Sequence, residues 1–113
     1  MLTIYHNPRC RKSRETLQLI EDSGELVEVI EYLKEVPSAH ELHKLVEMLG
    51  IKPEQLIRKG EAIYKEQFKG KSLSDKEWIE AMVEYPKLIE RPIVTRDNKA
   101  VLGRPPENVK ELL

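Results

Sequence analysis

The apolar positions in the first third of the chain change their spacing twice. Residues 2–5 alternate as in a short strand, and residues 11–23 follow the helical period with Leu17 and Ile20 facing inward. Residues 26–32 are rich in Val, Ile and Tyr and predict a second strand. Because a helix joins the two strands, we expect a right-handed crossover and a parallel pair. The chain therefore opens with a βαβ unit.

The middle of the chain is predicted to be a helical insert over about residues 38–86. The capping-box sequences Ser38–Glu41 and Ser74–Glu77 each begin a helix, and Pro86 closes the second one. Between them, residues 52–70 predict two short helical pieces. The expected buried stripe of the second capped helix consists of Trp78, Ile79, Met82 and Val83.

The last third predicts a hairpin and a final helix. Residues 92–95 and 100–102 read as short strands joined by the polar loop 96–99, and residues 105–113 as a helix that opens on two prolines. The full order is βαβ, helical insert, ββα. It predicts one α/β domain, residues 1–113, with a thioredoxin-like mixed sheet of about four strands and helices on both faces.

The amino-acid composition argues against several classes of binding partner. Nineteen basic and twenty acidic side chains give a net charge of −1, which argues against a broad nucleic-acid or anionic-lipid surface. No apolar run approaches the ~18 residues of a membrane span. A single cysteine excludes an internal disulfide and, with no leader-like segment at the start, favours a cytoplasmic setting. We expect a monomer that binds neither nucleic acid nor membrane.

The single cysteine lies where the first strand turns into the first helix. Unpaired backbone N–H groups and the positive end of the helix dipole can lower the pKa of a thiol there. A histidine, three arginines and a lysine lie within four residues of Cys10, in the run His6–Arg14. A buried structural cysteine is the alternative, but it would not need these cations. We therefore favour a reactive thiolate.

Two arginines stand directly before prolines near the predicted hairpin. Proline restricts the residue that precedes it, so Arg91 and Arg104 are presented from stiff positions that suit bidentate oxyanion recognition. Arg58 in the helical insert could add a third guanidinium. Each could instead be an ordinary surface arginine. Together with a thiolate they would bind a tetrahedral dianion.

Three motifs carry a resemblance to a known family. The run His6–Arg14, the segment Glu90–Val94 and the segment Leu102–Pro106 are together similar to the glutaredoxin-dependent arsenate reductases, which have a thioredoxin-like fold. The chain most resembles the uncharacterised cytoplasmic branch of that family. The resemblance implies that a cysteine thiolate attacks arsenate, glutathione displaces the adduct and glutaredoxin removes the glutathione.

The resemblance also implies roles for individual residues. Cys10 would be the nucleophile, His6 would support its thiolate, and Ser13 would donate a hydrogen bond to the sulfur. Pro92 resembles the cis-proline that faces the active-site cysteine in thioredoxin-like folds. Oxyanion binding is assigned to Arg58, Arg91 and Arg104.

The residues after the cysteine set this chain apart. The best-studied reductases tend to have small residues there, whereas this chain has Arg11 and Lys12, which could strengthen the oxyanion potential or crowd the entrance. Ser13 stands where a second cysteine would make Cys-x-x-Cys, so an external thiol must supply the electrons. Glutathione with glutaredoxin is the expected donor, and no bound cofactor is expected.

Two other functions fit the same residues. A monothiol glutaredoxin-like oxidoreductase would share the fold and the cysteine, although it has less need of three arginines. An Spx-like regulator that binds RNA polymerase would share the fold, although regulators with a redox switch typically carry Cys-x-x-Cys. A zinc site is not expected, since His40 and His43 have no third His or Cys beside them.

Overall fold

A computed structural model describes residues 1–113, which divide into two compact units. We call them the sheet unit, formed by Met1–Glu35 and Arg91–Leu113, and the helical unit, Val36–Glu90. The mixed α/β architecture with a four-stranded sheet confirms the predicted thioredoxin-like fold.

The sheet unit contains the four strands. They are β1 (Leu2–His6), β2 (Val27–Glu31), β3 (Ile93–Arg96) and β4 (Lys99–Leu102), in the spatial order β2-β1-β3-β4. Strand β1 pairs parallel with β2, and β3 pairs antiparallel with both β1 and β4. The helix α1 (Arg11–Asp22) connects β1 to β2, as the βαβ prediction requires.

Side chains from one face of the sheet form the core of this unit. On β1, Leu2, Ile4 and His6 alternate inward, and Val94 of β3 pairs with Ile4 on the same face. Helix α1 and the C-terminal helix cover this face. The buried cluster consists of Leu2, Ile4, Ile20, Val94, Val109 and Leu112.

The hairpin and the final helix differ from the prediction in detail. The strands extend to Arg96 and Lys99 and leave a two-residue turn between them. Asp97 in this turn has a positive φ of 55°, which Asp tolerates better than most residues. The final helix is a 3₁₀ helix, Pro106–Leu112, rather than an α-helix. Its buried residues Pro106, Val109 and Leu112 are three apart, and three residues per turn is the period that places them on one side.

The helical unit contains α2 (Ala39–Leu49), α3 (Ala62–Gln67) and α4 (Asp75–Glu84), with short 3₁₀ helices at Pro53–Leu56 and Pro86–Leu88. Both predicted capping boxes are present, at the N-termini of α2 and α4. Trp78, Ile79 and Met82 are buried as predicted. Val83 is only half-buried, and Ala81 takes its place in the buried stripe.

Candidate active site

A tight turn carries the chain from β1 to α1 and ends at Cys10. The Cys10 N–H donates to the Asn7 carbonyl oxygen at 3.0 Å, and Pro8 stands at the second position of that turn, where its fixed φ is favourable. Cys10 is the N-cap residue of α1, with extended backbone angles (φ −94°, ψ 122°), and is only 9% exposed. The thiol therefore lies at the open N-terminus of the helix.

The environment of Cys10 lowers the pKa of its thiol. Burial is the largest single influence and raises this pKa, but the backbone N–H of Ser13, the Arg91 guanidinium and the backbone N–H of Lys12 together outweigh it. The Cys10 side chain accepts no capping hydrogen bond of ordinary geometry from the backbone of α1. The N–H groups therefore stabilise the anionic sulfur mainly through their partial positive charges. The direction of this shift is the one that the predicted thiolate requires.

The register of the sheet explains how Arg91 reaches the sulfur. Tyr5 of β1 pairs with Ile93 of β3, so the residues just before β3 lie beside the end of β1. Arg91 precedes Pro92 across a cis peptide bond, as the resemblance predicts, and its guanidinium helps to lower the pKa of the Cys10 thiol. The structure thus joins residues that are far apart in sequence.

Arg104 lies at the same end of the sheet. Ile93 pairs with Leu102, and the Gly103 N–H donates to the Pro92 carbonyl oxygen at 2.9 Å. The exposed Arg104 side chain donates from Nη1 to the Arg91 carbonyl oxygen at 3.3 Å. The Arg104–Pro105 peptide is also cis. The two arginines predicted from Arg-Pro motifs therefore lie next to each other.

Gly103 is a point of close approach between segments. A Cβ built on Gly103 would lie 2.5 Å from Thr16 Oγ1 and 2.7 Å from Pro92 Cγ. The buried Thr16 hydroxyl donates to the Lys12 carbonyl oxygen at 2.8 Å and lies 3.4 Å from the Gly103 carbonyl oxygen. Only glycine lets this strand end pack so closely on α1.

His6 and Ser13 form a buried pair behind the turn. His6 Nδ1 and Ser13 Oγ are 2.6 Å apart, and the Asn7 N–H donates to Ser13 Oγ at 3.0 Å. Burial lowers the pKa of His6, and Arg14 lowers it further against the opposing charges of Glu31 and Glu21, so the imidazole is neutral at pH 7.

This pair changes the role expected of Ser13. The hydroxyl predicted to donate to the sulfur is held by His6 and Asn7, and the backbone N–H of Ser13 is what supports the thiolate of Cys10. The contact of His6 is thus with the Ser13 hydroxyl.

Arg58 belongs to the helical unit. Its backbone N–H donates to the Leu88 carbonyl oxygen at 2.7 Å, and its Nε lies 3.8 Å from a Glu90 carboxylate oxygen. Its Nη1 is buried without a hydrogen-bond acceptor. A buried donor without an acceptor costs free energy.

The two cations after the cysteine point into solvent. Arg11 donates to Glu15 at 2.7 Å one turn along α1, and its side chain is 84% exposed. Lys12 is also exposed and contributes its backbone N–H to the thiolate.

The remaining sequence predictions concern metals and membranes. His40 and His43 are exposed on α2, and His43 pairs with Glu47 at 3.1 Å. No group of three or more His, Cys, Asp or Glu side chains is arranged to hold a metal ion. No helix has the length and apolar character needed to cross a membrane.

Three residues of the site were not singled out from the sequence. Asn7 forms the turn, while Thr16 and Gly103 pack the arginine-bearing segment against α1. A usable signal existed for Thr16, since Ser13, Thr16 and Ile20 share the inward stripe of α1 and two of the three are polar. A polar residue on a buried helix face usually has a specific partner.

Comparison with known proteins agrees with this geometry. The model of the ArsC family matches residues 5–112. The chain is 45% identical to an arsenate reductase of Haemophilus influenzae over 113 residues, 97% of each chain, and 48% identical to the uncharacterised Escherichia coli protein YfgD over 112 residues, 97% of this chain and 94% of that protein. Its structure is similar to that of an arsenate reductase from Vibrio cholerae (TM-score 0.95, 50% identity, 99% of this chain and 97% of that one).

The lowered pKa of Cys10 predicts rapid alkylation near neutral pH. The rate of reaction with iodoacetamide should rise with pH through a midpoint below that of an unperturbed thiol, whose pKa is about 8.5. The same chain unfolded in guanidinium chloride should show the ordinary midpoint. A folded-state midpoint at or above the unfolded one would contradict the account of Cys10.

The close approach at Gly103 predicts that Gly103→Ala is destabilising. The added Cβ must displace Thr16 or Pro92, which should lower the free energy of unfolding by about 1–3 kcal/mol and raise the Cys10 alkylation midpoint as Arg91 shifts. Gly60→Ala is the matched control, because a Cβ there meets nothing within 4 Å. Equal unfolding midpoints for the two variants would show that Gly103 has room.

Proposed function

The chain belongs to the ArsC family, and from that membership and the Cys10 site we propose that it reduces arsenate to arsenite with the Cys10 thiolate as nucleophile. One observation carries the proposal. The buried Cys10 is the N-cap residue of α1, where the backbone N–H groups of the helix and the Arg91 guanidinium lower the pKa of its thiol. This arrangement provides a nucleophile and an anion-binding site at the same place.

The chemistry requires two electrons from outside the chain. Attack of the Cys10 sulfur on arsenic expels one oxygen as water and forms an S–As bond while arsenic stays As(V). A first external thiol then binds arsenic with loss of a second water. A second thiol attacks the sulfur of the first, so that an S–S bond forms, the outer S–As bond breaks and its electron pair reduces arsenic to As(III). Hydrolysis of the remaining S–As bond releases arsenite and Cys10.

We assign the two external thiols to glutathione and glutaredoxin. The chain contains a single cysteine, so it cannot form the disulfide internally. Glutathione is small enough to reach arsenic at a site where Cys10 is only 9% exposed. We expect the protein to act as a monomer in the cytoplasm, where both thiols are available.

The arginines would bind the oxygens of arsenate and stabilise the charge that develops there. The Arg91 guanidinium helps to lower the pKa of the Cys10 thiol, and the exposed Arg104 side chain beside Arg91 can turn toward a ligand. Arg58 is proposed as the third ligand, on the strength of the family motif and its unmet Nη1 donor. Its ion pair with Glu90 would hold the guanidinium through Nε.

No observation favours the two other functions. A glutathione-specific oxidoreductase has less need of an arginine that lowers the pKa of its thiol, and a redox-switched regulator would need a second cysteine near Cys10. His6 and Ser13 are proposed to support the thiolate by fixing the first turn of α1.

The first functional prediction concerns turnover. With arsenate, glutathione, glutaredoxin and glutathione reductase, the wild-type chain should consume NADPH in an arsenate-dependent manner, and Cys10→Ser should abolish that consumption. Ser13→Cys is an informative companion, because a second thiol next to Cys10 can form an internal disulfide and reduce the dependence on glutathione. No arsenate-dependent consumption by a correctly folded wild-type chain would refute the proposed function.

Substitution of Arg91, Arg104 or Arg58 should impair arsenate turnover, whereas substitution of an ordinary surface cation should not. Arg91→Ala should lower kcat/KM for arsenate roughly ten- to hundredfold, as expected for a hydrogen bond to a charged group worth about 1.5–3 kcal/mol, and Arg91→Lys should restore only part of it. Arg104→Ala and Arg58→Ala should mainly raise KM. Lys87→Ala is the control, since Lys87 is exposed and forms no ion pair. A wild-type KM for Arg58→Ala would remove Arg58 from the site.

A further inference from the structure

The Asn7 side chain stabilises the turn before Cys10 from within the turn. Asn7 is 8% exposed, and its side-chain Oδ1 accepts a hydrogen bond from the Arg9 N–H at 3.0 Å. A side-chain oxygen that bonds the N–H two residues later forms an Asx turn, which fixes the backbone between them. Here those residues are the centre of the turn that ends at Cys10.

The backbone of Asn7 is fixed as well. Its carbonyl oxygen accepts from the Cys10 N–H at 3.0 Å, and its N–H donates to Ser13 Oγ, also at 3.0 Å. Ser13 is fully buried in α1. Asn7 therefore connects the start of the turn, the end of the turn and the first turn of the helix through three hydrogen bonds.

We propose that Asn7 is a positioning residue that holds the Cys10 sulfur in front of the N–H groups at the N-terminus of α1. The stabilising N–H groups of Lys12 and Ser13 belong to the helix, whereas the sulfur belongs to the turn, so their alignment depends on how the turn meets the helix. Electrostatic stabilisation by such groups falls off within the first turn. A small displacement of Cys10 would therefore forfeit much of it.

The inference rests on the proposed function only in taking Cys10 as the nucleophile. Asn7 does not need to touch arsenate or glutathione. Its effect should appear in the reactivity of the sulfur toward a neutral probe as well as in turnover.

The test compares two alanine variants, each of which removes one side-chain-to-backbone hydrogen bond. Asn7→Ala removes the acceptor of the Arg9 N–H, and Ser38→Ala removes the cap of α2 in the helical unit. Each should lower Tm by about 5 °C. Only Asn7→Ala should raise the iodoacetamide midpoint of Cys10, by about one pH unit, and lower kcat for arsenate about tenfold.

The outcomes separate a positioning role from a structural one. A wild-type midpoint in Asn7→Ala despite its lower Tm would overturn the proposal, and so would an equal rise in Ser38→Ala. If Asn7→Ala does not fold, Asn7→Ser takes its place, because a serine hydroxyl supports the same turn more weakly and should give about half the shift. An unchanged midpoint in that variant would also overturn the proposal. Failure of the wild type to reduce arsenate would leave the alkylation test valid, since iodoacetamide reacts without arsenate.

Discussion

The site depends on keeping a charged sulfur stable where water hardly reaches it. Cys10 is 9% exposed, and burial on its own would favour the neutral thiol. The N–H groups at the start of α1 and the Arg91 guanidinium reverse that preference. If either were misplaced, the sulfur would take up a proton rather than remain a buried charge. The position of the helix start relative to the turn is therefore the constraint that the other contacts serve.

The sheet brings residues that are distant in sequence to the start of α1. The register of β3 against β1 and of β4 against β3 places Arg91 and Gly103 beside the end of β1. Gly103 then packs on Thr16, so the segment that carries Arg104 is fixed to the same helix that stabilises the thiolate. The inward face of α1 accordingly contains buried Ser13 and Thr16 at positions that a purely structural helix would fill with apolar side chains. The helix therefore loses some apolar contact with the core and gains hydrogen bonds that fix the segments of the site.

Much of this could be predicted from the sequence, for identifiable reasons. The βαβ unit and the two capped helices have strong local signals, and so does the placement of Cys10 at a strand-to-helix junction. The 3₁₀ form of the last helix was missed, although the spacing of Pro106, Val109 and Leu112 indicates it in retrospect. The contact between Thr16 and Gly103 joins residues 87 positions apart and has no local signal. The role of Arg58 also lies beyond local pattern, because it depends on where a guanidinium of the helical unit points.

The burial of Cys10 also bears on the order of the proposed steps. Because Cys10 is only 9% exposed, the proposed mechanism has glutaredoxin attack an outer sulfur rather than Cys10 itself. Arsenic bound to that sulfur extends outward, and glutathione bound to arsenic extends further. Each new bond therefore forms one atom farther from the protein, and the glutaredoxin cysteine meets only the outermost sulfur. A single buried cysteine suits this sequence of attacks, because the disulfide forms outside the site and the thiolate is released by hydrolysis rather than by exchange.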